Sequence, residues 1–534
     1  METFDHVSME PHSTLLLQGG TVLDGTGAPG VVADVLVRDG VVAAIGPGLR
    51  ADGPVFDATG RVVCPGFVDI HTHSDLTLLS DPRALSKVHQ GVTTEVVGNC
   101  GLGVAPLPPG ADVAAIRQAV SYLDLDLDPA VALDWHDLPG YLAAVAAARP
   151  SLNVAALVGH VALHAAVCGF DDRPAGSDEL DRMCGLLADA LDAGALGLST
   201  GLVYAPLTYV REEELTALAG VIAAAGAVFT WHVRSYDDGL LDSVAQALRV
   251  ARATGCRTQI SHLAAVGRRN WGTVRRALDL VEAANADGLR VGVDIYPYLH
   301  GNAPLSQLLP AWAQEGGASA WAPRLRDAGV RERIVAGWAD RPTGWEEITV
   351  SWTSRGDADP VVGRTVADLG GAGAALDLLA ELGAGVMMTA GGRSEDDLRA
   401  VLTHPDAVVA SDGLALDPGG VTGAGMPHPR SYGCFPRYLE RYATDLPDAI
   451  RRCTSAPASL IGLPDRGVLR TGAPADVVVF DPAAIAGPAT FTAPHQLAAG
   501  IDLVLVGGAP TVERGAHTGR RAGRVLHRTR GTTG

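Results

Sequence analysis

The hydrophobic pattern divides the chain into two β-rich ends and a long alternating middle. Short apolar runs separated by turn residues fill 14–64, and Asp39-Gly40 between two of them is a β-hairpin signal. The same alternation of short apolar runs and turns returns over 467–508. These two ends predict one small β-sandwich domain built from both termini.

The middle of the chain alternates apolar strands with helical patterns. Leu152–Val158 and Val228–Arg234 have the pattern of strands, whereas Glu212–Ala225 and Leu240–Ala253 have helical spacing. Repeated β-then-α units favour parallel strands with crossover helices, and a (β/α)8 TIM-like barrel closes such a series economically. A doubly wound sheet is the alternative, although no G-x-G-x-x-G motif opens a first βα unit. The pattern therefore predicts an α/β fold.

These patterns give predicted domain boundaries. We expect residues 1–64 and 451–534 to form the two parts of the β-sandwich, with the barrel in 65–450. Residues 300–370 fit the βα repeat poorly and predict an inserted helical subdomain or lid. This segment contains Trp312, Trp321, Trp338, Trp345 and Trp352.

Composition narrows the functional class. The net charge of -19 argues against binding to nucleic acids or anionic membranes. The seven cysteines include no C-x-x-C pair, so we expect reduced thiols in the cytoplasm rather than a disulfide framework or a zinc ribbon. The acidic segment Met1–Leu17 does not resemble a signal peptide, and no apolar run is long enough to span a membrane. We expect an enzyme acting on a small molecule.

Candidate chemistry begins at the end of the first predicted barrel strand. His71 and His73 follow an apolar run, and alternate residues of a strand point the same way. Neutral imidazole is a common metal ligand. Later strand ends add one thiol, two imidazoles and one carboxylate, and these groups should meet at the barrel mouth. Zn²⁺ suits such a mixed set, which consists of Cys100, His232, His262 and Asp412 in addition to the first two histidines.

The ordered set of motifs resembles the amidohydrolase superfamily, and most closely its N-acyl-D-amino-acid deacylase (D-aminoacylase) family. The cysteine motif is the most specific part of the match, because H-x-H alone is shared by the whole superfamily. The matching segments are 65–73, Gly98–Gly101, 194–204, 232–235, 259–263, Tyr296–Tyr298, Ser411–Gly413, His428–Arg430 and 475–481.

The resemblance implies hydrolysis of the amide bond of N-acyl-D-amino acids to a carboxylate and a free D-amino acid. Preference for the D-enantiomer is implied by the resemblance alone. It also implies a tight zinc site at Cys100, His232 and His262. A second, weaker metal position would use His71 and His73 with Asp412, and Asp412 would be the general base. Many superfamily members bridge two metals with a carboxylated lysine, but the only lysine here, Lys87, is not at a suitable strand end.

Three further residues match the family's substrate-binding positions. Arg430 would bind the substrate α-carboxylate, since a guanidinium suits bidentate capture. Tyr296 would assist it, and Tyr204 would lie near the scissile carbonyl. The family's lysine after the metal histidine is replaced by Ala264, and Ser235-Tyr236 also departs from the family pattern. Loss of that cation predicts a substrate with a neutral or apolar side chain.

Two other functions remain as alternatives. A cyclic-amide hydrolase of the hydantoinase or dihydroorotase kind would share the fold, but it usually needs the carboxylated lysine. A binding protein with a vestigial metal site should have lost at least one ligand, and all six are present. The sequence does not indicate an oligomeric state.

Overall fold

The computed structural model describes residues 14–121, 131–356 and 358–528. The strands are β1 Thr14–Val22, β2 Val31–Arg38, β3 Val41–Gly46, β4 Val55–Asp57, β5 Val62–Pro65, β6 Phe67–Asp69, β7 Val92–Val97, β8 Asn153–Ala156, β9 Val158–Gly159, β10 Gly197–Gly201, β11 Val228–His232, β12 Arg257–Ile260, β13 Val291–Ile295, β14 Gly301–Pro304, β15 Ile348–Thr353, β16 Val386–Ala390, β17 Ala407–Val409, β18 Val477–Phe480, β19 Ile501–Val506, β20 Ala509–Glu513 and β21 Ala516–His517. The α-helices are α1 Thr77–Ser80, α2 Leu85–Val88, α3 Val113–Ala119, α4 Leu138–Ala148, α5 His160–Cys168, α6 Ser177–Asp192, α7 Glu212–Ala225, α8 Leu240–Thr254, α9 Thr273–Ala286, α10 Ala318–Arg324, α11 Ala328–Gly337, α12 Val366–Leu369, α13 Ala372–Leu382, α14 Glu395–Leu402, α15 Arg430–Arg441, α16 Leu446–Cys453 and α17 Ser455–Leu460.

The two ends of the chain share one nine-stranded sheet. Its order is β21-β20-β19-β18-β5-β1-β2-β3, with β4 paired to β1. The antiparallel pair β5–β18 joins the ends and sets Val63 opposite Val479. Both side chains are buried with Leu17 and Val35 in a separate apolar cluster. The intervening residues Cys64 and Val478 belong to the main core, so β5 and β18 are buried on both faces.

The middle of the chain closes into a barrel of parallel strands. One sheet has the order β6-β7-β8 and another has the order β17-β13-β12-β11-β10-β9, while Leu157 alone separates β8 from β9. A parallel bridge between Thr72, after β6, and Gly413, after β17, joins the first barrel strand to the last. With β8 and β9 counted as one strand, the barrel has eight strands. The predicted α/β fold, a (β/α)8 barrel with a β domain from both termini, is confirmed.

The crossover helices pack on the outside of the barrel. In α8 the buried residues Leu240, Val244, Ala247, Leu248 and Ala251 recur at helical spacing. Such a stripe lets a helix bury one face against the sheet and expose the other. Sequential contacts run from α6 to α9, which places each helix beside the next around the ring.

The insertion after β13 is a mixed α/β unit with its own core. Strands β14, β16 and β15 form an antiparallel sheet covered by α10 to α13. Leu305, Trp321, Val350, Leu379 and Met388 are buried together there. The predicted helical segment over 300–370 includes α10 and α11. The sheet was not predicted, because its central strand β16 lies beyond that segment and is completed only by long-range pairing.

Residues 1–13 of the acidic segment Met1–Leu17 lie outside the described residues. Within 14–121, 131–356 and 358–528, no helix combines the length and the hydrophobicity needed to cross a membrane.

Candidate metal centre and active site

The carboxyl ends of the barrel strands bring all six predicted ligand side chains together, and all six are buried. Cys100 follows β7, His232 ends β11 and His262 follows β12. His71 and His73 follow β6, and Asp412 follows β17.

Three of these residues adopt left-handed backbone conformations. The φ angles are 53° at Cys100, 37° at His262 and 51° at Asp412. Residues other than glycine rarely adopt positive φ, and the strain must be held by surrounding contacts. The backbone N–H of Asp412 donates to the carbonyl of His71 (2.9 Å), and that of His262 donates to Asp294 Oδ1 (2.8 Å). The turns thus direct the side chains to the barrel mouth.

Cys100 lies between two groups of possible metal ligands. Its Sγ is 3.2 Å from His71 Nε2 and 3.4 Å from His262 Nε2. One group is Cys100, His232 and His262; the other is His71, His73, Cys100 and Asp412. Within each group the ligand atoms lie within 4.8 Å of one another.

The chemistry of His232 fits a bound cation. Both of its ring nitrogens are buried without a hydrogen-bond partner in the described part of the chain. Burial lowers the pKa of His232 to about 3, so the imidazole is neutral at neutral pH. A buried polar atom without a partner is costly, and a neutral imidazole nitrogen is the ligand form. The residues present therefore fit a divalent metal.

The Cys100 thiol would lose its proton on metal binding. Burial raises the pKa of Cys100 to about 11 in the metal-free protein. A coordinated cation reverses this preference, because it stabilises the thiolate directly. Metal binding and proton release would therefore be coupled at this cysteine.

Asp294 is a site residue that the sequence analysis missed. Its Oδ1 lies 3.1 Å from His71 Nδ1, and its Oδ2 accepts a hydrogen bond from Gln259 Nε2 at 2.9 Å. With the His262 backbone contact, this carboxylate orients two of the candidate ligands, as partners behind a metal site do. The available signal was a single buried carboxylate in the otherwise apolar strand β13.

Asp412 is held between imidazoles and a guanidinium. Its Oδ1 lies 2.9 Å from His73 Nε2 and 3.3 Å from His71 Nε2. Its Oδ2 lies 2.6 Å from Arg430 Nη1. Burial raises the pKa of Asp412, but the charge of Arg430 and the charge and hydrogen bond of His71 outweigh burial and hold it well below its usual value. The carboxylate is therefore ionised and can accept a proton.

A cavity of about 580 Å³ opens beside these groups. Tyr204 and Tyr296 line it together with Asp412 and the metal-ligand candidates Cys100, His73, His232 and His262. Arg430 does not line the cavity; its side chain is buried, and its guanidinium lies 4.5 Å over the Tyr296 ring. The insertion supplies an apolar part of the wall, formed by Leu308, Trp338, Ile348 and Met388.

Tyr236, one of the departures from the family pattern, braces the imidazoles. Its hydroxyl donates to the Ser261 carbonyl (3.0 Å) and accepts from the Val233 N–H (3.2 Å). Its ring lies 5.0 Å from the rings of both His232 and His262. The side chain therefore restricts both rings at the edge of the cavity.

Lys87 belongs to a buried hydrogen-bond network rather than to the candidate metal ligands. Its Nζ lies 2.8 Å from Asp69 Oδ2 and 2.6 Å from Ser411 Oγ, and the side chain is fully buried. Asp69 in turn accepts from the Ser411 backbone N–H at 2.9 Å. This network fixes the strand end that presents Asp412.

A third group of metal-competent side chains lies elsewhere. Glu214 Oε1 is 2.9 Å from His160 Nε2 and 2.8 Å from His164 Nδ1. These are hydrogen-bond separations. We interpret the group as a buried hydrogen-bonded triad joining α5 to α7.

The comparison with known proteins agrees with this geometry. A family model described as Amidohydrolase family matches residues 54–512. The chain belongs to the amidohydrolase family. This amidohydrolase is 36% identical to N-acyl-D-glutamate deacylase of Alcaligenes xylosoxydans xylosoxydans, over 97% of the chain and 98% of that relative. It is also 36% identical to D-aminoacylase of the same organism, over 96% and 98%.

A solved structure is similar over nearly the whole chain. It is N-acyl-D-glutamate deacylase from Bordetella bronchiseptica, in complex with zinc and a phosphonate inhibitor that mimics the tetrahedral intermediate. The identity is 35% and the TM-score is 0.81, with 97% of this chain and 100% of that chain covered. The predicted family and the predicted enzyme class, a metal-dependent amidohydrolase, are confirmed.

Proposed function

We propose that this amidohydrolase hydrolyses the amide bond of N-acyl-D-amino acids. The observation that supports this most is the meeting of a thiol, two neutral imidazoles and the ionised Asp412 at one wall of a cavity. The relatives with deacylase names match the chain from end to end. The products would be a carboxylate and a free D-amino acid.

We assign a tight zinc site to Cys100, His232 and His262. A second, weaker metal position would use His71, His73 and Asp412, with Cys100 between the two. When bound, zinc would acidify water and polarise the substrate carbonyl. Neutral imidazoles and a thiolate are ligands that zinc prefers.

Asp412 would move the proton during hydrolysis. Its Oδ1 faces the ligand side chains, so the carboxylate can take a proton from the attacking water. As the C–N bond breaks, the same carboxyl group would pass that proton to the leaving nitrogen. Tyr204, whose ring lies 5.1 Å from the His232 ring, would donate a hydrogen bond to the scissile carbonyl oxygen.

Substrate binding would use both charged and apolar parts of the cavity. Tyr296 and Arg430 are proposed to act on the α-carboxylate, and the apolar wall from the insertion suits a neutral or apolar side chain or acyl group. That side-chain preference rests on Ala264, which replaces the family's lysine. Arg234, Arg341 and Arg393 line the cavity, so its wall keeps cations of its own.

The cyclic-amide alternative has less support. Its relatives usually bridge two metals with a carboxylated lysine, and Lys87 is held by Asp69 and Ser411. The partner is therefore proposed to be a linear small molecule. All seven cysteines are free, which fits the cytoplasmic location that we propose.

A substrate panel on protein of measured zinc content tests the proposal. We expect turnover of N-acetyl-D-amino acids, little turnover of their L-enantiomers, and none of dihydropyrimidines. Full zinc loading without turnover of any N-acyl amino acid would overturn the proposed function. Preferential turnover of dihydropyrimidines would favour the alternative.

A further inference from the structure

Arg393 is a cation on the cavity wall that takes no part in the reaction steps proposed for zinc, Asp412 and Tyr204. It lies between β16 and α14, and it lines the cavity with Tyr296, His262 and Asp412. Its guanidinium lies 5.0 Å over the Tyr296 ring and packs against Gly301, where an added Cβ would come within 3.1 Å of Nη2. These contacts hold its guanidinium at the cavity wall, and the residue as a whole is half-buried.

The charge of Arg393 has no protein partner in the described residues. Its Nη1 is buried without a hydrogen bond, and among the described side chains no carboxylate lies within ion-pair distance. The neighbouring arginine Arg234 differs, because it donates to the carbonyls of Thr208 and Val210 at 2.9 Å each. Desolvating an unpaired guanidinium is unfavourable, so this group is suited to receive an anion.

Arg430, which is also proposed to act on the α-carboxylate, has a different environment. Its charge is balanced by Asp412 at 2.6 Å, and it lies behind Tyr296. The Tyr296 ring is thus within 4.5 Å of one guanidinium and 5.0 Å of another. Only Arg393 of these two lines the cavity. Arg393 therefore offers a carboxylate in the cavity a donor on the wall, whereas Arg430 would contribute from its pair with Asp412.

The small side chain of Ala264 leaves room beside Arg393. Ala264 and Arg393 line the same small void, together with Leu263 and Tyr298. A lysine at position 264 would extend a second cation toward that void. The short side chain leaves Arg393, from a different part of the chain, as the cation that lines this void.

We propose that Arg393 binds the α-carboxylate of the substrate together with Arg430, and that it replaces the cation missing at position 264. This inference rests on the proposed function, because it concerns the carboxylate of an N-acyl-D-amino acid. A planar guanidinium can hold a carboxylate through two parallel hydrogen bonds, which also fixes the substrate's orientation. The unpaired Nη1 is one such donor.

The test compares N-acetyl-D-leucine with N-acetyl-D-leucinamide, which lacks only the carboxylate. In the zinc-loaded enzyme, Arg393→Gln should raise KM for the acid by roughly 10- to 100-fold and leave the amide within about twofold. Calorimetry on the metal-free protein should show the same loss of affinity for the acid. Arg393→Lys should keep part of the preference, because it keeps the charge without the bidentate geometry.

Arg399→Gln is the matched control, since it removes the same charge from the exposed face of α14, where Arg399 pairs with Glu395. It should leave the acid-to-amide ratio unchanged. Adding Ala264→Lys to Arg393→Gln should restore part of the ratio. Circular dichroism and zinc content establish that each variant is folded and loaded.

The outcomes separate the two proposals. If the wild type hydrolyses N-acetyl-D-leucine and Arg393→Gln keeps the acid-to-amide ratio, the assignment of Arg393 is wrong and the proposed function stands. If Arg393→Gln alters only the ratio of N-acetyl-D-glutamate to N-acetyl-D-glutamine, the guanidinium binds a side-chain carboxylate and the α-carboxylate assignment is overturned. If the wild type neither binds nor hydrolyses any N-acyl-D-amino acid, the proposed function fails.

Discussion

Asp412 Oδ2 lies 2.6 Å from Arg430 Nη1, and this buried ion pair joins a residue of the cavity wall to one outside it. It holds the Asp412 carboxylate with Oδ1 toward His71 and His73. Burial alone would favour protonation, and the neighbouring positive charge reverses that preference. The pair therefore keeps a charged, oriented carboxylate where the proposed reaction needs a proton acceptor.

Asp412→Asn should lower kcat by roughly 10²- to 10⁴-fold, because the amide cannot accept a proton. Zinc at Cys100, His232 and His262 should remain largely bound, since Asp412 is not in that group. Steady-state kinetics and metal analysis on the same preparation measure both effects. Retained activity at full zinc content would show that another group is the base.

Cys100→Ala should remove most of the bound metal and most of the activity, because both ligand groups include its Sγ. Cys184→Ser is the matched control, since Cys184 is a half-buried free cysteine outside the ligand groups. The Cys184→Ser variant should retain the zinc content and the activity of the wild type. Chelation of the wild type should abolish activity reversibly, whereas added zinc should not rescue Cys100→Ala. Equal zinc content in the two cysteine variants would contradict the ligand assignment.

Asp294→Asn should weaken metal affinity by roughly 10- to 100-fold, as expected for a group that orients ligands without touching the metal. The carboxylate contacts His71 Nδ1 and the His262 backbone N–H, so the loss should be visible in both metal positions. Competition with a chelator of known affinity measures the change. A reduction in kcat at unchanged metal affinity would instead indicate a direct role in the reaction.

Glu214→Gln should destabilise the fold by about 2–3 kcal/mol at pH 7, because it leaves two buried imidazoles without their shared carboxylate. Burial raises the pKa of Glu214, but hydrogen bonds from His160 and His164 lower it from its usual 4.5 to about 2. A depressed folded pKa gives stability that is present above about pH 4.5 and is lost as the pH falls toward 2.

The stability difference between wild type and Glu214→Gln should therefore shrink as the pH is lowered from 5 toward 3. Urea unfolding at several pH values, with zinc content held equal, measures it. A difference that stays constant over this range would mean that the carboxylate charge contributes little to stability.

The local pattern was sufficient for the barrel and for most of the site. A chemistry-bearing residue at a strand end, such as His232 or His262, can be recognised because parallel strands bring their carboxyl ends to one edge. Asp294 also lies on a strand, but its role depends on contact with His71, which follows the first barrel strand, β6. No spacing rule along the chain encodes that contact.

The insertion illustrates the same limit. The tryptophan-rich segment was recognisable as an interruption of the βα repeat, yet its sheet depends on β16 pairing between β14 and β15. Arg393, just after β16, enters the cavity only because this sheet folds over the barrel mouth. Its sequence context, Gly-Gly-Arg-Ser, has the composition of an ordinary loop.

The sequence by itself determined the alternating barrel, the β domain from both ends and the identities of the six candidate ligands, because each depends on residue type and local period. The tertiary structure decided which charges are already balanced. It paired Arg430 with Asp412 and left Arg393 facing the cavity, a distinction between two arginines that no local pattern contains. The physical reason is that the strength of a charge as a binding group depends on its burial and its neighbours, which are fixed only when distant segments pack together.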